Sequence, residues 1–264
     1  MALVTGAARG IGRAIGIRLA ERGAKVAICD IADQIQSIPY PLATKEELEK
    51  SKSAIDQSGV ESMAFEVDVR NRRSMESMIE QIHAKWKRLD ILVSNAGVTD
   101  MSEFEETMKT SWDDVIDVNL TGTANSLGVV LPHMKRQNHG RIVCISSQVA
   151  KRGNAKMSAY VSSKWGILGL SQSVALEFAS YQITCNALCP TSTNTGMLNN
   201  EFVLKKLIPE NPTIEALEQR MRAGPYSTGI LPPTKVADSV EFLCLPQTIH
   251  ISGTEMDVTS LNSS

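Results

Sequence analysis

The chain has 264 residues, 42% of them hydrophobic, and a formal net charge of −2 from 27 basic and 29 acidic residues. That near-neutral balance offers no surface for nucleic acid or for an anionic membrane, and the length suffices for one large α/β core. The five cysteines (Cys29, Cys144, Cys185, Cys189 and Cys244) show neither CxxC nor zinc spacing, so they read as reduced packing residues of a cytoplasmic protein. No apolar run approaches the roughly 20 residues of a membrane span. The start is not a signal peptide, because a glycine-rich loop follows Ala2-Leu3-Val4 at once. A first strand usually has a few residues before it, so a short lead ahead of Met1 is expected.

Ala2 to Val4 is a short apolar run. Thr5-Gly6-Ala7-Ala8-Arg9-Gly10-Ile11-Gly12 follows, and Arg13 to Arg22 has helical spacing. This is strand, glycine turn, helix, the arrangement in which backbone amides at a helix N-terminus receive a diphosphate. Lys25 to Asp30 is the second strand, with Asp30 and Ile31 at its end, 18 residues after Gly12 for the aspartate. An acid there can bond adenosine ribose hydroxyls and repel a 2′-phosphate, which points to NAD. Arg9 in the glycine loop pulls slightly toward NADP, but Asp30 weighs more.

Residues 33–50 interrupt the rhythm. Gln34 to Pro41 is turn-rich, and a helix begins after Thr44, an N-cap followed by Glu46 and Glu47. This insertion falls near where adenine would lie, and it serves equally well as a plain surface loop or as a cover for the cofactor. Ser62 to Val67 is the third strand, leading to Asp68-Val69. Asn71 to Trp86 is helical, and Leu89 to Val93 is the fourth strand, running into Asn95-Ala96-Gly97. Short apolar strands alternating with helices predict a single-domain Rossmann-type, doubly wound parallel sheet of about seven strands, with helices on both faces. Ligands of such sheets sit at the carboxyl ends of the strands, where the glycine loop, Asp30, Asp68 and Asn95 to Gly97 all fall.

Ser111 to Lys135 reads as one long helix with Asn119 inside it, an awkward place for asparagine. Arg141 to Ile145 is the fifth strand and ends in Ser146-Ser147. A helix from about Ser158 to Ala179 carries Tyr160 and Lys164, four residues apart on one face. An ammonium beside a phenol favours phenolate and forms an acid/base pair, although this spacing alone is also that of an ordinary surface pair. Gln182 to Leu188 is the sixth strand, and residues 190–233 form a proline-punctuated segment of the kind that covers active sites. Val236 to Leu243 is a helix and Gly253 to Val258 a last strand.

Thr5-Gly6-xxx-Gly10-Ile11-Gly12, Asp68, Asn95-Ala96-Gly97, Asn119, Ser147, Tyr160 and Lys164 stand in the order and spacing of the short-chain dehydrogenase/reductase family, which the chain resembles nearly end to end. The resemblance implies that Tyr160 is the general acid/base, that Lys164 lowers its pKa and holds the nicotinamide ribose, that Ser147 orients the substrate oxygen, and that Asn119 anchors a water leading to Lys164. The family's proline-glycine turn after the sixth strand reads Pro190-Thr191 here. Thr195 matches the threonine that contacts the carboxamide, with Thr193 as the alternative. The C-terminal Met256-Asp257-Val258-Thr259 departs from the family's glycine-rich ending. The insertion and Thr193-Asn194-Thr195-Gly196-Met197-Leu198 resemble the carveol-dehydrogenase-like, mycofactocin-coupled subfamily.

That likeness implies an NAD-dependent alcohol dehydrogenase acting on a neutral, apolar secondary alcohol or ketone, terpenoid-like or cyclic. Gln148, Val149, Asn154, Met197 and Leu198 are candidate substrate contacts, under a lid running from Met197 to about Tyr226. No cluster of Arg or Lys suggests an anchor for a carboxylate. A metal is not expected. The family likeness also implies a homotetramer, or a homodimer. The competing readings are a steroid, polyol or 3-oxoacyl reductase, a sugar-nucleotide epimerase (for which the chain is short), and a catalytically silent NAD-binding scaffold.

Overall fold

The computed structural model describes residues 1–223 and 229–260. Its described strands form one seven-stranded parallel sheet in the order β3-β2-β1-β4-β5-β6-β7. The strands are β1 (Ala2–Thr5), β2 (Val26–Asp30), β3 (Ser62–Glu66), β4 (Ile91–Ser94), β5 (Gly140–Ile145), β6 (Ile183–Pro190) and β7 (Glu255–Val258). β1, β5 and β6 are buried at every position, because helices cover both faces and leave no polar side to the strand. The order reverses between β1 and β4, and the resulting crevice outside their carboxyl ends is where such a sheet holds a ligand.

The helices are α1 (Gly10–Glu21), α2 (Lys45–Asp56), α3 (Arg72–Trp86), α4 (Phe104–Thr110), α5 (Trp112–Ile116), α6 (Gly122–Gln137), α7 (Ser158–Phe178), α8 (Glu201–Leu207), α9 (Ile214–Ala223) and α10 (Pro233–Cys244). Thr44 caps α2 as its sequence suggests. Its hydroxyl accepts from the Glu47 N–H and the Glu47 carboxylate accepts from the Thr44 N–H, two unpaired donors satisfied together. α1 and α10 lie side by side on one face, joined by Arg18 bridging to Asp238 and Glu241. Four of the five cysteines are buried and all are free thiols. No helix among the described residues is long and apolar enough to cross a membrane.

One expectation needs correction. Ser111 to Lys135 is not one regular helix. α5 passes into a π-helical segment, Asp117–Thr121, before α6 begins. The wider turn carries Asn119, fully buried, and lets its side chain leave the helix toward Val98. This accounts for an asparagine where a regular helix would disfavour one.

Residues 31–44 form the loop expected of the insertion, and the rest of that stretch starts α2. Of the 190–233 segment, α8 and α9 pack on each other through Leu204, Ile208 and Leu217. The expected lid end at Tyr226 lies outside the described residues.

Candidate active site

The glycine loop is shaped by backbone that side chains would spoil. Gly6 and Gly10 have φ of +63° and +60°, the left-handed region. At Gly12 a Cβ would fall 2.3 Å from the Gly6 carbonyl and 2.6 Å from Asn95 Nδ2. Asn95 itself ties the loop to β4, since Nδ2 donates to the carbonyls of Thr5 and Gly6 at 2.9 Å each. Thr5 Oγ1 accepts from the Asn95 and Ala96 amides at 3.0 and 3.1 Å. The crevice is thereby held open beside the first amides of α1, which have no acceptor within the helix.

These pieces line a single cavity of about 810 Å³. Gly6, Arg9, Gly10, Ile11, Asp30, Ile31, Asp68, Val69, Asn95, Ala96 and Gly97 line one part of it, and Pro190, Thr193 and Thr195 lie on its wall. Ser147, Gln148, Val149, Asn154, Tyr160, Lys164, Met197 and Leu198 line it as well. Gly12 and Asn119 do not: Gly12 serves close packing, and Asn119 sits behind the wall. Among the described residues no group of three or more His, Cys, Asp or Glu could hold a metal.

The Asp30 carboxylate accepts from the Ala8 amide at 3.0 Å and from Ala32 at 3.5 Å. Burial pushes its pKa up, against the pull of those amides and of Arg9. Arg9 is occupied elsewhere. It donates to the Pro41 carbonyl at 2.6 Å, lies 3.9 Å from Glu47, and its guanidinium packs against Gly196, where a Cβ would come within 3.0 Å of it. It acts as a clasp between the glycine loop, the insertion and the turn after β6. Asp68 is engaged with Arg70, whose Nε lies 2.9 and 3.1 Å from its two oxygens.

At the reaction end, Lys164 is 3% exposed and its Nζ donates to the Ile145 carbonyl at 2.8 Å. Burial holds its pKa down at about 8. Nζ stands 5.6 Å from the centre of the Tyr160 ring. The expected lowering of the Tyr160 pKa by Lys164 is not what dominates here. Burial raises the phenol's pKa, and the opposing pull comes from its hydrogen bond with Ser147. Asn119 Oδ1 accepts from the Val98 amide at 2.8 Å, while Nδ2 donates to the Val98 carbonyl at 2.9 Å and to Ser163 Oγ at 3.0 Å. Ser163 in turn donates to the Tyr160 carbonyl at 2.7 Å. The Asn119 side chain thus ties the stretch after β4 to the turn of α7 that carries Tyr160.

Several lining residues lay outside the sequence reading. Ile35 and Tyr40 come from the insertion, and Thr99 and Met101 from the stretch after β4. Arg152 and Arg220 also line the cavity, although nothing in their spacing groups them. Both line it because the loop after β5 and α9 border the same cavity. Arg220 donates to the Leu207 carbonyl at 2.8 Å. Ile38-Pro39-Tyr40-Pro41 was the one available signal for Tyr40, a tyrosine set between prolines in a turn.

A glycine cradle, an acid at the end of β2 and a Ser-Tyr-Lys cluster beside the end of β5 share one crevice, the arrangement of a dinucleotide-dependent oxidoreductase. The family model described as short chain dehydrogenase matches residues 1–203, and the chain belongs to that family. It is an oxidoreductase of the short-chain type. The (−)-trans-carveol dehydrogenase of Rhodococcus erythropolis is 34% identical over 98% of this chain and 95% of that protein. The 3-oxoacyl-acyl-carrier-protein reductase FabG of Staphylococcus aureus is also 34% identical, over 96% of each. Among solved structures, carveol dehydrogenase from Mycobacterium avium in complex with NAD superposes with a TM-score of 0.93 at 29% identity, covering 97% of this chain and 95% of that one.

Proposed function

We propose that the protein interconverts a secondary alcohol and a ketone with NAD, and that its substrate is neutral and largely apolar, terpenoid-like or cyclic. The observation that carries this reading is the placing of Ser147, Tyr160 and Lys164 on the same cavity as the glycine cradle and Asp30. Bound NAD supplies the hydride acceptor. Tyr160 takes the hydroxyl proton of the alcohol at its phenol oxygen and returns it in the reverse direction. Ser147 hydrogen-bonds the substrate oxygen and holds it against Tyr160. Lys164 binds ribose hydroxyls of the cofactor and, charged, favours the phenolate. Asn119 keeps the Tyr160 turn in register through Ser163. Met197, Leu198, Val203 and Leu217 supply an apolar wall for the substrate. The Asp30 carboxylate bonds the adenosine ribose and disfavours a 2′-phosphate, and the engagement of Arg9 with Pro41 and Glu47 supports that preference.

The test is a screen of cyclic and aliphatic secondary alcohols with NAD, with NADP and with a dye acceptor, alongside a mass and absorbance check for retained NAD(H). We expect turnover with NAD and at most about a tenth of it with NADP, the scale of one unfavourable charge contact. A preference for NADP would overturn the reading of Asp30. The second reading, a 3-oxoacyl reductase, is favoured by the equal identity to the staphylococcal enzyme, and turnover of 3-oxoacyl thioesters alone would select it.

A homotetramer, or a homodimer, is supported by apolar side chains left exposed on neighbouring helices, Phe104 and Met108 on α4 and Trp165 on α7. Light scattering decides between four chains, two and one, and a monomer at all concentrations would remove the assembly from the proposal.

A further inference from the structure

The loop between β2 and α2 is closed on itself by one side chain. Gln34 Nε2 donates to the carbonyls of Ile35, Ile38 and Tyr40 at 3.0, 3.0 and 3.3 Å, and its Oε1 accepts from the Leu42 amide at 3.0 Å. The closed loop presses Tyr40, 4% exposed, into the cavity wall. There the Tyr40 hydroxyl oxygen accepts from the Thr99 amide at 3.0 Å.

A phenol oxygen has two favoured partner positions in the plane of its ring. With the Thr99 N–H at one, the O–H proton takes the other. Among the described residues no acceptor receives that proton. Asp100, the carboxylate close by, is ringed by the hydroxyls of Ser102, Thr107 and Ser111 and takes nothing from Tyr40. A buried O–H donor left without a partner is costly, and Tyr40 lines the cavity, so an acceptor held there would satisfy it. Tyr40 is among the residues that line the cavity. Leu42 and Ala43 of its own loop line the wall with it, Val98 and Thr99 adjoin it, and Tyr160 and Arg9 are among its electrostatic neighbours.

We propose that Tyr40 is a cofactor-positioning residue, its O–H donating to an oxygen of the phosphate–ribose backbone of the dinucleotide while the Thr99 amide aims it. The proposal rests on the NAD-dependent reading above. It gives the insertion a polar contact with the cofactor.

The test compares Tyr40→Phe with Ile38→Ala by calorimetric titration of the cofactor-free protein with NAD and with ADP-ribose, and by thermal unfolding of each without ligand. Ile38 is buried in the same loop but does not line the cavity, so its truncation loosens the loop without touching the hydroxyl. We expect Tyr40→Phe to raise the Kd of both ligands about tenfold, the loss of one hydrogen bond to a charged or strongly polar acceptor. It also lowers the unliganded melting temperature, because the Thr99 amide loses its acceptor. Ile38→Ala lowers that temperature too, but changes either Kd by less than about threefold, the scale of an indirect effect. Binding by Tyr40→Phe within about twofold of the parent would overturn the proposal, as would equal weakening by both variants. If the parent chain binds neither ligand, the NAD-dependent reading falls and the proposal with it.

Discussion

Tyr160→Phe is expected to lower kcat by about a thousandfold, within the range that one positioned acid/base group contributes. The phenol lines the cavity, and Ser147 lines it too and pulls the phenol's pKa down against burial. Phenylalanine keeps the ring and its packing against the core but cannot accept a proton. The affinity for NAD should stay within about twofold, because the lost hydroxyl makes little of the cofactor's total contact. Steady-state kinetics on any accepted alcohol, with a parallel NAD titration, measure both quantities. Retention of more than about a tenth of kcat would overturn the assignment of Tyr160 as acid/base.

Lys164→Met is expected to act on two observables. Turnover falls about a hundredfold or more, since the variant loses the ammonium that would position the cofactor's ribose hydroxyls against the reacting groups. Stability changes with a definite sign. Burial lowers the Lys164 pKa from the ordinary 10.5 to about 8. Below pH 8 folded and unfolded chains both carry the proton, and the buried charge exerts its full penalty. Between about 8 and 10.5 the folded chain has released the proton while the unfolded chain still binds it, so the parent protein gains stability as pH rises. The methionine variant lacks this gain. The parent-minus-variant difference in unfolding free energy, measured by urea titration without cofactor, should therefore climb by on the order of 3 kcal/mol across that window. A flat difference would mean that Lys164 is more hydrated in solution than its 3% exposure implies.

Much of the site was legible because it is written in local patterns. Gly6, Gly10 and Gly12 follow a strand and open a helix, and each is required by backbone geometry that the structure makes explicit. Thr44 with Glu47 marked the start of α2 for the same local reason. What local patterns could not carry was any feature made by partners far apart in the chain. Arg9 was legible only as a basic residue in the glycine loop, and its contacts with Pro41, Glu47 and Gly196 come from distant parts of the chain. Asn119 looked like a misplaced helical residue until the π-helical turn brought it to Val98 and Ser163. The pKa of Tyr160 followed burial more than the neighbouring lysine, and burial is a property of the whole packed core.

The sequence by itself determined the doubly wound parallel sheet, its family and the Ser147, Tyr160 and Lys164 constellation, since strand–helix periodicity and motif spacing are encoded along the chain. Only the tertiary structure decided that Tyr40 and Thr99 meet on the cavity wall, that Arg152 and Arg220 share its lining, and that the Asn119 side chain reaches Val98 and Ser163. Each of those depends on contacts between residues tens of positions apart, which arise when the sheet closes and its loops gather at one edge.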